Sequence, residues 1–91
     1  MFYERLKELR LSLYLNQVQL AKKLNVSKQS VSNWESGYIQ PPIDMVIKIC
    51  QIFHVSADYL LGLDDRRSLD VSGLTAEQIT HLQAIVDDLR A

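Results

Sequence analysis

The run Asn16-Gln17-Val18-Gln19-Leu20-Ala21-Lys22-Lys23-Leu24-Asn25-Val26-Ser27-Lys28-Gln29-Ser30-Val31-Ser32-Asn33-Trp34-Glu35-Ser36-Gly37 decides the fold. Asn16, with Gln19 three residues on, has the form of an N-cap and its capping-box partner. Leu20 and Leu24 then supply the apolar stripe of a short helix over about Gln17 to Leu24. Asn25 is one of the few non-glycine residues that accept the left-handed conformation ending a helix. Ser27 can cap a second helix, which carries Val31 and Trp34 inward and which Gly37 closes. Two short helices joined by Asn25-Val26-Ser27 make a helix-turn-helix, whose second member can enter a DNA major groove.

The residue types inside this unit agree with that geometry. Ala21 is small where the helices would cross, Val26 fills the turn, and Val31 and Trp34 anchor the second helix from beneath. At its spacing from Val31, Trp34 reads as packing and not as a stacking platform. The outward positions are Lys28, Gln29, Ser32 and Asn33, short or amide-bearing groups of the kind that pair with base edges. From Gln17 to Asn33 there are three lysines and no acid, so the patch is locally basic.

Outward from this core, Phe2, Leu6, Leu9 and Leu13 recur at helical spacing and predict an amphipathic helix over Phe2 to Leu13. Pro42 suits the start of a fourth helix, where its missing N–H costs nothing. Met45, Val46, Ile49, Ile52 and Phe53 give that helix a broad apolar face. Ser56 opens a fifth, short helix through Leu60 and Leu61, ended by Gly62. From Leu63 to Gly73 periodicity stops, which reads as a linker. Thr75 with Gln78 forms a second capping-box pattern ahead of Ile79, Leu82, Val86 and Leu89, an a/d register that suits a partner helix or the chain's own domain. No strand pattern or internal repeat occurs, so the chain reads as all-α. The expected division is residues 1–63, a linker over 64–73, and a C-terminal helix within 74–91.

Composition narrows the function. At 91 residues and 10.5 kDa the chain suits one small domain with an appended helix and excludes a large multidomain enzyme. Hydrophobic residues at 47% and charged residues at 23% lie near the globular average, so the chain should fold. The net charge of −1 does not by itself suggest nucleic acid, but its distribution is uneven. Up to Leu63 there are seven basic and five acidic residues; from Asp64 onward there are three and six. The single cysteine, Cys50, can form neither an intramolecular disulfide nor a cysteine-based zinc site, which fits a reducing compartment. The longest uncharged stretch, Leu11 to Ala21, falls far short of a membrane span, and a cytoplasmic location with no membrane partner is expected. His54 and His81 lack partners at ligand spacing, and Asp64-Asp65 and Asp87-Asp88 read as solvated charges. With no nucleophile–base set or phosphate loop, no enzyme, metal, cofactor or small-molecule ligand is expected.

The stretch quoted first, continued through Pro41-Pro42 and Val55-Ser56-Ala57-Asp58-Tyr59-Leu60-Leu61-Gly62, resembles the lambda-repressor-like, Cro/C1-type (xenobiotic-response-element) helix-turn-helix family. The resemblance covers about two-thirds of the chain and implies a five-helix DNA-binding domain with the groove geometry of phage repressors. It departs from the family at Asn25, where glycine is usual, and at Pro42, where a Ser or Asp cap is common and the helix boundary can move by one residue. At matching positions it implies that Gln17 binds a phosphate and braces the recognition helix, and that Gln29 reads a base. A glutamine amide can donate to adenine N7 and accept from N6 in one plane. Lys28 would reach guanine or a phosphate. Ser27, Ser30, Ser32 and Asn33 would complete the surface, with Tyr38 and Gln40 on the DNA backbone. Arg10 and Glu35 match a structural ion pair.

The resulting expectation is a non-enzymatic, sequence-specific transcriptional regulator from a bacterium or phage, a repressor that binds a palindromic operator in double-stranded DNA as a homodimer. Dimerisation falls to Ile79, Leu82, Val86 and Leu89, because one recognition helix covers few base pairs. The competing reading is an antitoxin-type interaction module that binds a partner protein as well as DNA.

Overall fold

Six helices order the chain in a computed structural model, which describes residues 2–91: α1 (Phe2–Ser12), α2 (Gln17–Leu24), α3 (Lys28–Glu35), α4 (Ile43–Phe53), α5 (Ala57–Leu60) and α6 (Ala76–Arg90). Side chains cap most of their starts. Asn16 accepts from the Gln19 amide while Gln19 returns a bond to the Asn16 amide, each at 2.8 Å. Thr75 and Gln78 repeat the arrangement ahead of α6, and Ser27 and Ser56 cap α3 and α5. Pro42 is the N-cap of α4 and not its first helical residue; it offers no side-chain bond, and its fixed φ of −66° holds the entry.

Each of the first five helices stops at a left-handed residue: Tyr14, Asn25, Gly37, His54 and Gly62, all with φ between 54° and 80°. The backbone closes behind them. Tyr38 and Gly37 donate to Asn33 and Trp34, and Leu63 and Gly62 donate to Asp58 and Tyr59, the paired bonds of a Schellman stop. This corrects two expectations. The left-handed turn at Tyr14 ends α1 one residue early and swings Leu13 to the surface, where it is 50% exposed. Leu61 lies beyond α5, at its cap, and is also exposed.

Leu6, Leu20, Leu24, Val31, Ile49 and Leu60 are fully buried, each contributing about 1.5–3 kcal/mol of transfer free energy. Leu9, Ala21, Trp34, Val46 and Phe53 complete the core, and Val26, Met45, Ile52 and Val55 pack half-buried against it. Ala21 and Val26 thus allow α2 and α3 to meet closely. Lys48 on α4 donates from Nζ to the carbonyl of Leu24 at 2.9 Å, placing a cation at the negative end of α2. Arg5 on α1 donates to the carbonyls of Tyr59 (2.8 Å) and Asp64 (3.0 Å), pairs with the Asp65 carboxylate, and stacks over the Tyr59 ring at 4.1 Å. The first residues after α5 are therefore tied to α1.

α6 buries none of its residues and contributes nothing to the core. The radius of gyration, 15.1 Å, exceeds the roughly 12 Å expected of a compact chain this long. An isolated helix of this length is marginal in water, so α6 needs a surface to dock on.

The left-handed stops give opposite expectations at two positions. Tyr14 is 94% exposed, so Tyr14→Gly removes backbone strain without losing packing and should raise stability by about 0.5–1 kcal/mol. A Cβ at Gly37, with φ of +77°, would sit 3.2 Å from the Tyr3 ring, so Gly37→Ala should destabilise by about 1–2 kcal/mol. Thermal melts read both changes, and equal shifts of the same sign would contradict this account.

Candidate nucleic-acid interface

Val31, Trp34 and Glu35 form the buried side of α3, which leaves Lys28, Gln29, Ser32 and Asn33 on its outer side. Lys28 and Gln29 are exposed, while Ser32 and Asn33 are half-buried. Gln29 Nε2 donates to Asn33 Oδ1 at 2.9 Å, joining two amides one helical turn apart. Ser27 and Ser30 sit at the N-terminal end of the same helix with their hydroxyls 3.0 Å apart. The Ser27 hydroxyl is already engaged as the cap, accepting from the Ser30 amide at 3.1 Å. Tyr38, 82% exposed, and Gln40 lie in the loop after α3, clear of its outer face in sequence.

What holds this face is a buried charge network. Arg10 Nε donates to Glu35 Oε2 at 2.7 Å and Nη2 donates to Oε1 at 3.0 Å, a bidentate pair whose side chains are 9% and 3% exposed. The remaining Nη1 of Arg10 donates to the carbonyl of Leu15 at 2.7 Å. Gln17, the first residue of α2, donates from Nε2 to Glu35 Oε1 at 3.3 Å. One carboxylate on α3 is thereby held from α1 and α2 together. Among the described residues no buried side-chain polar atom lacks a partner.

Lys7, Gln17, Ser32, Glu35 and Ser36 line a shallow cleft of about 190 Å³ beside this network. Lys7 and Ser36 are not singled out by the sequence. The available signal for Lys7 is its position three residues before Arg10, on the same side of α1. Glu35 is neutralised by Arg10, so the cleft and the outer face of α3 present a cation, amides and hydroxyls. Lys22, Lys23 and Lys28 are exposed, and the first-turn N–H groups of α2 and α3 add partial positive charge. Such a surface suits a phosphate backbone with base edges beside it.

The rest of the chain offers different chemistry. Burial pushes the Cys50 thiol up from its ordinary range, away from a reactive thiolate. Among the described residues no group of His, Cys, Asp and Glu could hold a metal ion, and no helix is long and apolar enough to cross a membrane.

An outer face of one cation, amides and hydroxyls on the second helix of a packed two-helix unit defines a helix-turn-helix DNA-binding domain. The chain belongs to the lambda-repressor-like, Cro/C1-type helix-turn-helix family, whose pattern it matches over residues 6–60, and whose members are DNA-binding regulators and not enzymes. It is 40% identical over 62 residues to the HTH-type transcriptional regulator ImmR of Bacillus subtilis, covering 68% of this chain and 49% of that protein. The chain spans about half the length of the curated relatives it matches. Its fold is similar to the P22 c2 repressor solved with a synthetic operator (TM-score 0.66, 30% identity, 70% of this chain and 97% of that one). It is also similar to a transcriptional regulator from Listeria innocua (TM-score 0.67, 28% identity, 98% and 92%).

The buried pair sets a stability test. Arg10→Met leaves the Glu35 carboxylate buried with only Gln17 as partner, and Glu35→Leu leaves the guanidinium uncompensated, so each should cost about 3 kcal/mol. The double variant should cost less than the sum. Denaturant unfolding of the three variants checks this, and small additive losses would mean that the pair contributes little.

Proposed function

We propose that the chain is a sequence-specific transcriptional regulator, a repressor that binds a palindromic operator in double-stranded DNA as a homodimer. The single observation that carries the reading is the outer face of α3, where Lys28, Gln29, Ser32 and Asn33 stand on a helix held from behind by Arg10, Gln17 and Glu35. In this reading residues 1–63 are the DNA-binding domain, 64–73 a linker and 74–91 the dimerisation element. Gln29 reads a base, and Lys28, Ser32 and Asn33 adjoin it. Ser27 and Ser30 approach the backbone at the start of α3, Gln17 lies against a phosphate, and Tyr38 and Gln40 reach the backbone beyond α3. The likeness to the P22 c2 repressor, solved on an operator, supports this placement.

Dimerisation rests on α6. Ile79 is 36% exposed and Leu89 81%, and Leu82 and Val86 between them are only half-buried, so among the described residues the stripe is not covered by the core. A second copy would cover it and would set two α3 helices about 34 Å apart, on successive turns of the groove. Joining two weak sites on one assembly raises affinity without any change in either site.

Base reading and backbone binding should separate under substitution. Gln29→Ala is expected to lose about 1–3 kcal/mol of discrimination at one base pair while binding to random DNA is nearly unchanged. Lys22→Ala, Lys23→Ala or Lys28→Ala should weaken binding to all DNA and lower the salt slope by about one unit for each phosphate left unneutralised. Titrations on specific and random duplexes at several salt concentrations measure both. Equal losses on the two DNAs for Gln29→Ala would remove it from base reading.

For the dimer, Leu82→Asp together with Val86→Asp should give a folded monomer with much weaker operator binding, because α6 carries none of the core. Light scattering of the unaltered and substituted chains decides the point. A monomer before substitution, or a dimer after it, would reject the assignment; a stoichiometric complex of α6 with a different protein would favour an antitoxin-type role.

A further inference from the structure

We propose that Asn33 orients the Gln29 amide, so that this pair selects adenine over guanine at one operator position. The proposal rests on the reading of α3 as the helix that reads bases. Gln29 and Asn33 lie one turn apart on the outer side of α3, and Gln29 Nε2 donates to Asn33 Oδ1 at 2.9 Å. Among the described residues neither side-chain amide makes any other hydrogen bond within the chain. Neither is needed by the core.

The consequence follows from the donor and acceptor count. A glutamine amide has two N–H groups and one carbonyl oxygen. With one N–H given to Asn33, Gln29 still presents its second N–H and Oε1, a donor beside an acceptor. Adenine offers the complement, N7 as acceptor and the N6 amino group as donor. Guanine offers N7 and O6, both acceptors, so the same orientation would set Gln29 Oε1 against O6. An unrestrained glutamine escapes this by pointing both N–H groups of its amide at N7 and O6. Here one of those N–H groups is already given to Asn33 Oδ1, and turning it to guanine would break the hydrogen bond between the two side chains. Asn33 therefore acts through Gln29 as a positioning residue and keeps its own amino group for a neighbouring acceptor.

Selection of bound duplexes from a randomised library, using the full-length chain, tests this. Asn33→Ala frees the glutamine and should lower the adenine-over-guanine preference at the Gln29 position roughly fivefold, the worth of one net hydrogen bond. Asn33→Asp keeps the acceptor and should keep that preference, although its charge weakens binding to every duplex. Unchanged melting temperatures in both variants would show that the effect is not a loss of fold. The proposal is overturned if Asn33→Ala keeps the full preference, or if Asn33→Asp loses it as alanine does. Gln29→Ala with no change at any base position would instead overturn the base-reading role on which the proposal rests.

Discussion

The bidentate contact between Arg10 and Glu35 is the constraint on which the placement of α3 depends. Two charges withdrawn from water are costly to hold and become tolerable only when donors and acceptors are matched closely. Arg10 meets that condition by engaging all three nitrogens, two with Glu35 and one with the Leu15 carbonyl. Apolar packing beneath Val31 and Trp34 fixes how deeply α3 sits but, being non-directional, leaves its rotation loosely specified. The guanidinium fork accepts only a narrow set of angles, so it settles that rotation, and with it which side chains of α3 face outward.

Gln17 extends this control to α2. Its amide reaches the same carboxylate from the first helical position, at an end whose free N–H groups favour an anion. A single residue thus touches the support of α3 on one side and a phosphate-suited helix end on the other.

Much of this arrangement is legible in the sequence because it is written in local signals. The capping boxes at Asn16 and Thr75, the left-handed asparagine at Asn25 and the Schellman stop at Gly37 each depend on a few neighbouring residues. The left-handed residues Tyr14 and His54 are not legible in this way, since an aromatic or histidine side chain carries no turn signal of that kind, and the apolar spacing of Leu13 points inward where the chain has already turned. Contacts between distant segments are equally silent: Arg5 with Tyr59 and Asp64, Lys48 with the Leu24 carbonyl, and Lys7 beside Gln17. For those, the sequence shows a charge on a helix but not the carbonyl it will meet. The Gln29–Asn33 bond lies between these cases. Its spacing of four is visible in the sequence, and only the folded helix shows which amide donates.

Because every one of the first five helices is terminated by its own backbone, the chain can settle where each helix ends before any two of them meet. Most of the entropy of locating the turns is then spent over short loops, where closure is cheap. Helical domains dominated by such neighbouring contacts fold in microseconds to milliseconds, well ahead of sheet proteins of similar size. What is left for after the helices have formed is the closing of contacts far apart in sequence, Arg10 with Glu35 and Arg5 with the segment after α5. A newly made chain would pass quickly through the compact forms that expose its leucines to aggregation.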